Sequence, residues 1–98
     1  VWDPVSRRTL VFGGAAVADS TIVWLDDLWA WDGTRWTELV PTGTRPERRL
    51  DAGFAFDVTR GRALLFGCSL VGAARDDFWA WDGSRWTGLP LPGRACVR

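Results

Sequence analysis

Trp29-Ala30-Trp31-Asp32-Gly33-Thr34-Arg35-Trp36-Thr37 returns fifty residues later as Trp79-Ala80-Trp81-Asp82-Gly83-Ser84-Arg85-Trp86-Thr87. An acidic pair precedes both copies, Asp26-Asp27 in the first and Asp76-Asp77 in the second. A fixed period of that size marks stacked repeats, each too small to bury its own apolar face without a neighbour. Upstream, Leu10-Val11-Phe12-Gly13-Gly14 aligns with Leu64-Leu65-Phe66-Gly67-Cys68, and Asp3 with Asp57, at an offset of fifty-four. The two offsets differ because the first copy holds four extra residues between its Gly-Gly and its acidic pair. Insertions in repeat proteins fall in loops, so residues 15–25 and 69–75 are expected to be loops on one side of the unit.

Each full copy contains four strand-like pieces. In residues 49–57 the end of the segment alternates, with Phe54 and Phe56 on one face, and Asp57 to Gly61 reads as a polar turn. Residues 62–68 are a nearly continuous apolar run, as in a strand buried on both faces. Residues 77–82 alternate again, and Asp82-Gly83 is a hairpin signal ahead of a last strand at 85–89. The first copy keeps this order but retains only Val1-Trp2-Asp3 of its opening strand. No segment carries a helical period, so the expected fold is all-β, an array of four-stranded antiparallel sheets. Trp29 and Trp31, two apart, share a strand face, and Trp36 joins them across the Asp32-Gly33 hairpin. Trp79, Trp81 and Trp86 repeat the cluster. Because these indoles recur in register on strands, they read as packing between sheets rather than as sugar-stacking platforms.

The same argument removes Asp26-Asp27 and Asp76-Asp77 as a catalytic carboxylate pair. A feature present in every unit serves the unit, and an Asp at a strand entry is expected to accept backbone N–H bonds from the adjoining loop. Twelve arginines balance twelve acids, with no lysine, histidine or methionine. Zero net charge gives no field toward nucleic acid or an anionic membrane, and no apolar run approaches the roughly 18 residues of a membrane span. The absence of histidine excludes a His-based triad or a His-containing metal site within these residues. No catalytic residue, metal or cofactor is therefore expected here. Arg45, Arg48 and Arg49, interrupted by Glu47, read as a solvated connection in which one arginine anchors the next strand. Cys68 and Cys96 read as free, partly buried thiols, a disulfide between them being the alternative.

A Gly-Gly after an apolar strand, then a loop, a D-x-W-x-W-D strand and a W-T strand, resembles the kelch repeat, of the bacterial type found in the central domain of galactose oxidase. The carrying residues are Gly13, Gly14, Asp27, Trp29, Trp31 and Trp36, then Gly67, Asp77, Trp79, Trp81 and Trp86. Cys68 departs from the pattern where a second glycine should stand. The WD-type repeat is shorter, at about 40–45 residues, and uses a Gly-His pair that a chain without histidine cannot supply. The resemblance implies one four-stranded propeller blade per repeat: residues 1–41 a blade lacking most of its first strand, and 42–98 a second blade with the start of a further connection. Propellers close with about four to eight blades, so the chain is expected to be a fragment whose first partners are further blades of the same parent chain. The implied function is a non-catalytic scaffold for binding a protein or ligand. The alternative is the structural propeller of a larger enzyme, galactose-oxidase-like or sialic-acid-isomerising, with its catalytic residues elsewhere. A protein partner is expected at the loops 15–25 and 69–75, where Ile22, Val23, Trp24 and Leu25 form an unusually apolar stretch. Arginine without lysine associates with a GC-rich bacterial source. Compartment stays open, with a lean toward the cell envelope or exterior.

Overall fold

Among the described residues ten strands account for nearly all the regular structure, and none of these residues is helical. The computed structural model describes residues 1–49, 53–67, 69–70, 73–74 and 77–90. The strands are β1 (Trp2–Asp3), β2 (Arg8–Ala18), β3 (Thr21–Trp31), β4 (Trp36–Glu38), β5 (Gly53–Asp57), β6 (Arg62–Phe66), β7 (Ser69–Leu70), β8 (Ala73–Ala74), β9 (Phe78–Trp81) and β10 (Trp86–Gly88). They form two four-stranded antiparallel sheets, β1-β2-β3-β4 and β5-β6-β9-β10, and a small ladder, β7-β8. The protein is all-β. The first sheet falls within residues 1–41 and the second within 42–98. Cys68 and Cys96 lie outside the described residues.

The expected loop at 15–25 is not a loop. Residues 14–18 and 21–25 continue β2 and β3 as a regular ladder, with Ala15 opposite Trp24, Ala16 opposite Val23 and Val17 opposite Ile22. Asp19 and Ser20, at φ 49° and 64°, make the two-residue turn whose twist suits a hairpin. The shorter counterpart at 69–75 pairs Ser69 with Ala74 and Leu70 with Ala73, while Val71, Gly72 and Arg75 lie outside the described residues. The four inserted residues thus lengthen a hairpin by two rungs and add no loop. A bulge between Phe12 and Gly14 separates this extension from the sheet below it.

Register makes the two sheets superposable rung by rung. In the first, Trp2, Thr9, Trp31 and Trp36 face one another across the four strands. In the second, Phe56, Ala63, Trp81 and Trp86 occupy the same four places. The core is built from opposite faces of the two sheets. Leu10, Leu28 and Ala30 of the first pack with Ala63, Leu65, Trp81 and Trp86 of the second, and Phe12 and Trp79 close around them. The Phe12 ring meets Trp86 edge-on at 5.5 Å, and Trp86 meets Trp81 at 5.3 Å. The stack is therefore head to tail: the tryptophan rung of the second sheet is buried, and that of the first faces outward.

Equivalent turns show where local strain sits. Arg7 donates its N–H to the Asp3 carbonyl at 2.8 Å with φ 60°, and Gly61 does the same to Asp57 at 2.8 Å with φ 65°. A left-handed conformation costs a side-chain-bearing residue roughly 1–2 kcal/mol, part of which glycine returns through its freer unfolded state. Arg7→Gly is expected to stabilise the chain by up to about 1 kcal/mol in urea unfolding.

Candidate interaction surface

The hairpin carries Ile22, Val23, Trp24 and Leu25 on one strand, so they do not form a single patch. Alternation places Ile22 and Trp24 on one face with Val17 and Ala15, and Val23 and Leu25 on the other with Ala16 and Gly14. Val17 is 77% exposed and Ile22 62%, side by side near the turn, whereas Trp24 and Leu25 are half-buried lower down. The binding candidate is thus narrower than the stretch 22–25: an apolar tip of Val17 and Ile22, with Val23 behind.

A second open apolar surface lies on the first sheet. Trp36 is 53% and Trp2 54% exposed, whereas in the second sheet the counterpart of Trp36, Trp86, is buried and that of Trp2, Phe56, is half-buried. Trp31 and Trp36 stack at 5.2 Å with tilted rings, as Trp81 and Trp86 do, so the same local geometry recurs in both settings. The opposite end of the stack shows Phe66 and Phe78, edge to face at 6.1 Å and half-buried. Trp2 was not among the residues singled out from the sequence; only its cross-strand position opposite Thr9, and through it Trp31, reveals it as the fourth member of the rung.

The junction between the sheets is a clamp built on Arg49, whose side chain is fully buried. Its backbone belongs to the first sheet: Arg49 N donates to the Leu25 carbonyl at 3.2 Å, and its own carbonyl accepts from Gly14 N at 3.0 Å. Its guanidinium belongs to the second: Nη1 donates to the Gly67 carbonyl at 2.8 Å and to Asp77 Oδ1 at 2.5 Å, and Nη2 donates to Asp77 Oδ2 at 2.8 Å. Nε donates to the Glu47 carbonyl at 2.9 Å. Of the three arginines in the connection, Arg49 is the anchor. Gly13 makes the approach possible. At φ +67° a Cβ there would stand 2.6 Å from the Arg49 carbonyl oxygen and 3.0 Å from that of Leu25.

Asp27 and Asp77 serve this frame by each holding a tryptophan indole, and Asp76 lies outside the described residues. Asp27 Oδ2 accepts the Trp29 indole Nε1–H at 2.7 Å, and Asp77 Oδ2 accepts that of Trp79 at 3.0 Å. The hairpin aspartates hold backbone amides. Asp32 Oδ1 accepts from Thr34 N at 2.7 Å and Arg35 N at 2.8 Å; Asp82 Oδ1 accepts from Ser84 N at 2.9 Å and Arg85 N at 3.0 Å. These bonds hold both carboxyls below their ordinary pKa, for Asp32 chiefly through the Arg35 and then the Thr34 amide, for Asp82 through Ser84 and then Arg85. A folded pKa below the unfolded one contributes stability above about pH 4 that is lost as pH falls through the folded value. Asp32→Asn combined with Asp82→Asn is therefore expected to flatten the acid limb of a stability–pH curve recorded from pH 7 to pH 2.

Comparison with protein-family models, with curated proteins and with solved structures finds no match to this chain.

Proposed function

We propose that this chain is a segment of a kelch-type β-propeller that acts as a non-catalytic scaffold for binding a protein or ligand. The observation that carries this reading is the face-to-face stacking of two equivalent four-stranded sheets, each with a D-x-W-x-W-D strand third in order. A stack with unlike ends, a tryptophan rung at one and the Phe66–Phe78 pair at the other, is the form that accepts further sheets by the contact already present between the two. The long hairpin rises from this rigid frame with Val17 and Ile22 exposed at its tip. Large apolar side chains exposed together on a rigid support favour recognition of another macromolecule.

Two experiments test the proposal. Reading the gene on either side of the Val1 and Arg98 codons is expected to show further repeats of about fifty residues with the D-x-W-x-W-D pattern; unrelated flanking sequence would count against a propeller. Val17→Lys with Ile22→Glu, opposite charges across one rung, is expected to leave stability within about 0.5 kcal/mol, because both side chains stand in water. The same pair is expected to abolish cross-linking through a photoreactive residue at position 21. A large loss of stability instead would make the tip a packing element.

A further inference from the structure

The two sheets share the carboxylate, the indole and the glycine that surround the Arg49 guanidinium, and differ in the arginine itself. In the second sheet, Asp77 holds the Trp79 indole and receives the paired Nη1 and Nη2 donors of Arg49, with the Gly67 carbonyl as third acceptor. In the first, Asp27 holds the Trp29 indole at 2.7 Å in the same way, and Gly13 stands at φ 67° where Gly67 stands at 56°. Yet among the described residues no arginine reaches Asp27. Arg45 pairs instead with the neighbouring Asp26, at 3.6 Å and half in solvent. Asp27 Oδ1 accepts no hydrogen bond from any described residue, although the indole fixes the carboxylate in place.

We propose that Asp27, oriented by Trp29 and flanked by Gly13, is a guanidinium-binding socket, filled by an arginine carried on an extended peptide segment of the Pro46-to-Arg49 kind. A planar fork of N–H donors matches a fixed carboxylate bidentately, which a lysine ammonium does not. The segment that carries Arg49 pairs its backbone with Gly14 and Leu25 at the bulge of the first sheet, which is the sheet that covers Trp81 and Trp86; by equivalence, an arginine entering the Asp27 socket would pair its backbone with a sheet laid over Trp31 and Trp36. This inference rests on the internal equivalence of the two sheets and is independent of the kelch reading.

The test uses a peptide copying residues 44–54, in which Arg49 lies six residues before the position equivalent to Val1. It is supplied in two ways: free in solution, and fused directly ahead of Val1. The free peptide is compared with one bearing citrulline in place of Arg49, which keeps the shape and removes the charge. The fused form is compared with the same extension carrying Gln there. Each is measured on the native chain and on Asp27→Asn, which retains an acceptor for the Trp29 indole. The expected result is an arginine preference of about tenfold or more in affinity, or a higher urea midpoint in the fused form, that disappears in Asp27→Asn. Preference with the free peptide identifies delivery by a separate chain, and preference only in the fused form identifies delivery within one chain. No preference for arginine in either format, or one that survives Asp27→Asn, would overturn the proposal; because citrulline leaves the protein untouched, misfolding of the variant cannot mimic that outcome.

Discussion

Arg49→Ala is expected to destabilise the chain by about 3–5 kcal/mol, the range for removing one partner of a buried ion pair. The side chain is wholly buried, and its loss leaves the Asp77 carboxylate and the Gly67 carbonyl without the donors they meet at 2.5 to 2.8 Å. Asp77→Ala strands the guanidinium and the Trp79 indole in turn, so the double variant is expected to cost clearly less than the sum of the two. Arg49→Lys is expected to recover only part of the loss, since an ammonium cannot span both carboxylate oxygens and the Gly67 carbonyl in one plane. Urea unfolding of the native chain, the two alanine variants and their double measures the coupling. Additive losses would mean that the guanidinium and the Asp77 carboxylate contribute independently, and that the paired bonds between them do not join the sheets.

Trp86→Ala is expected to cost about 3–5 kcal/mol, while the equivalent Trp36→Ala costs less than about 1 kcal/mol. The two residues share sequence context, hairpin type and cross-strand partner. They differ in what covers them: Trp86 is 5% exposed beneath Phe12, and Trp36 is 53% exposed. The comparison holds intrinsic strand propensity and turn chemistry constant, so any difference reports the sheet-to-sheet contact itself. Equal losses would mean that the tryptophans stabilise their own hairpins, through the Trp31–Trp36 and Trp81–Trp86 contacts, and not the stack.

These contrasts also mark how far the fold was legible in the residues alone. The repeat, the four strands of each unit and the shared face of Trp29, Trp31 and Trp36 follow from period-two alternation and the Asp-Gly turns, which are local signals. The hairpin at 14–25 was missed because its turn, Asp19-Ser20, lacks the glycine that usually announces one, and because an inserted segment is ordinarily a loop. An anchoring arginine was expected within Arg45, Arg48 and Arg49, but only a partner twenty-eight residues away, Asp77, decides which. Whether a tryptophan rung is covered or open was not readable at all. It depends on the neighbouring sheet, and two nearly identical nine-residue stretches end in opposite environments.

One of two equivalent tryptophan rungs is sealed by the other sheet while its counterpart stays open. Hydroxyl-radical footprinting of the dilute chain, read residue by residue by mass spectrometry, tests it in a single experiment. Rapid oxidation of Trp2 and Trp36 with protection of Trp81 and Trp86 is the result the stack predicts. Equal oxidation of Trp36 and Trp86 would show that the two sheets do not stack as described, and the clamp, the open face and the scaffold reading would fall together.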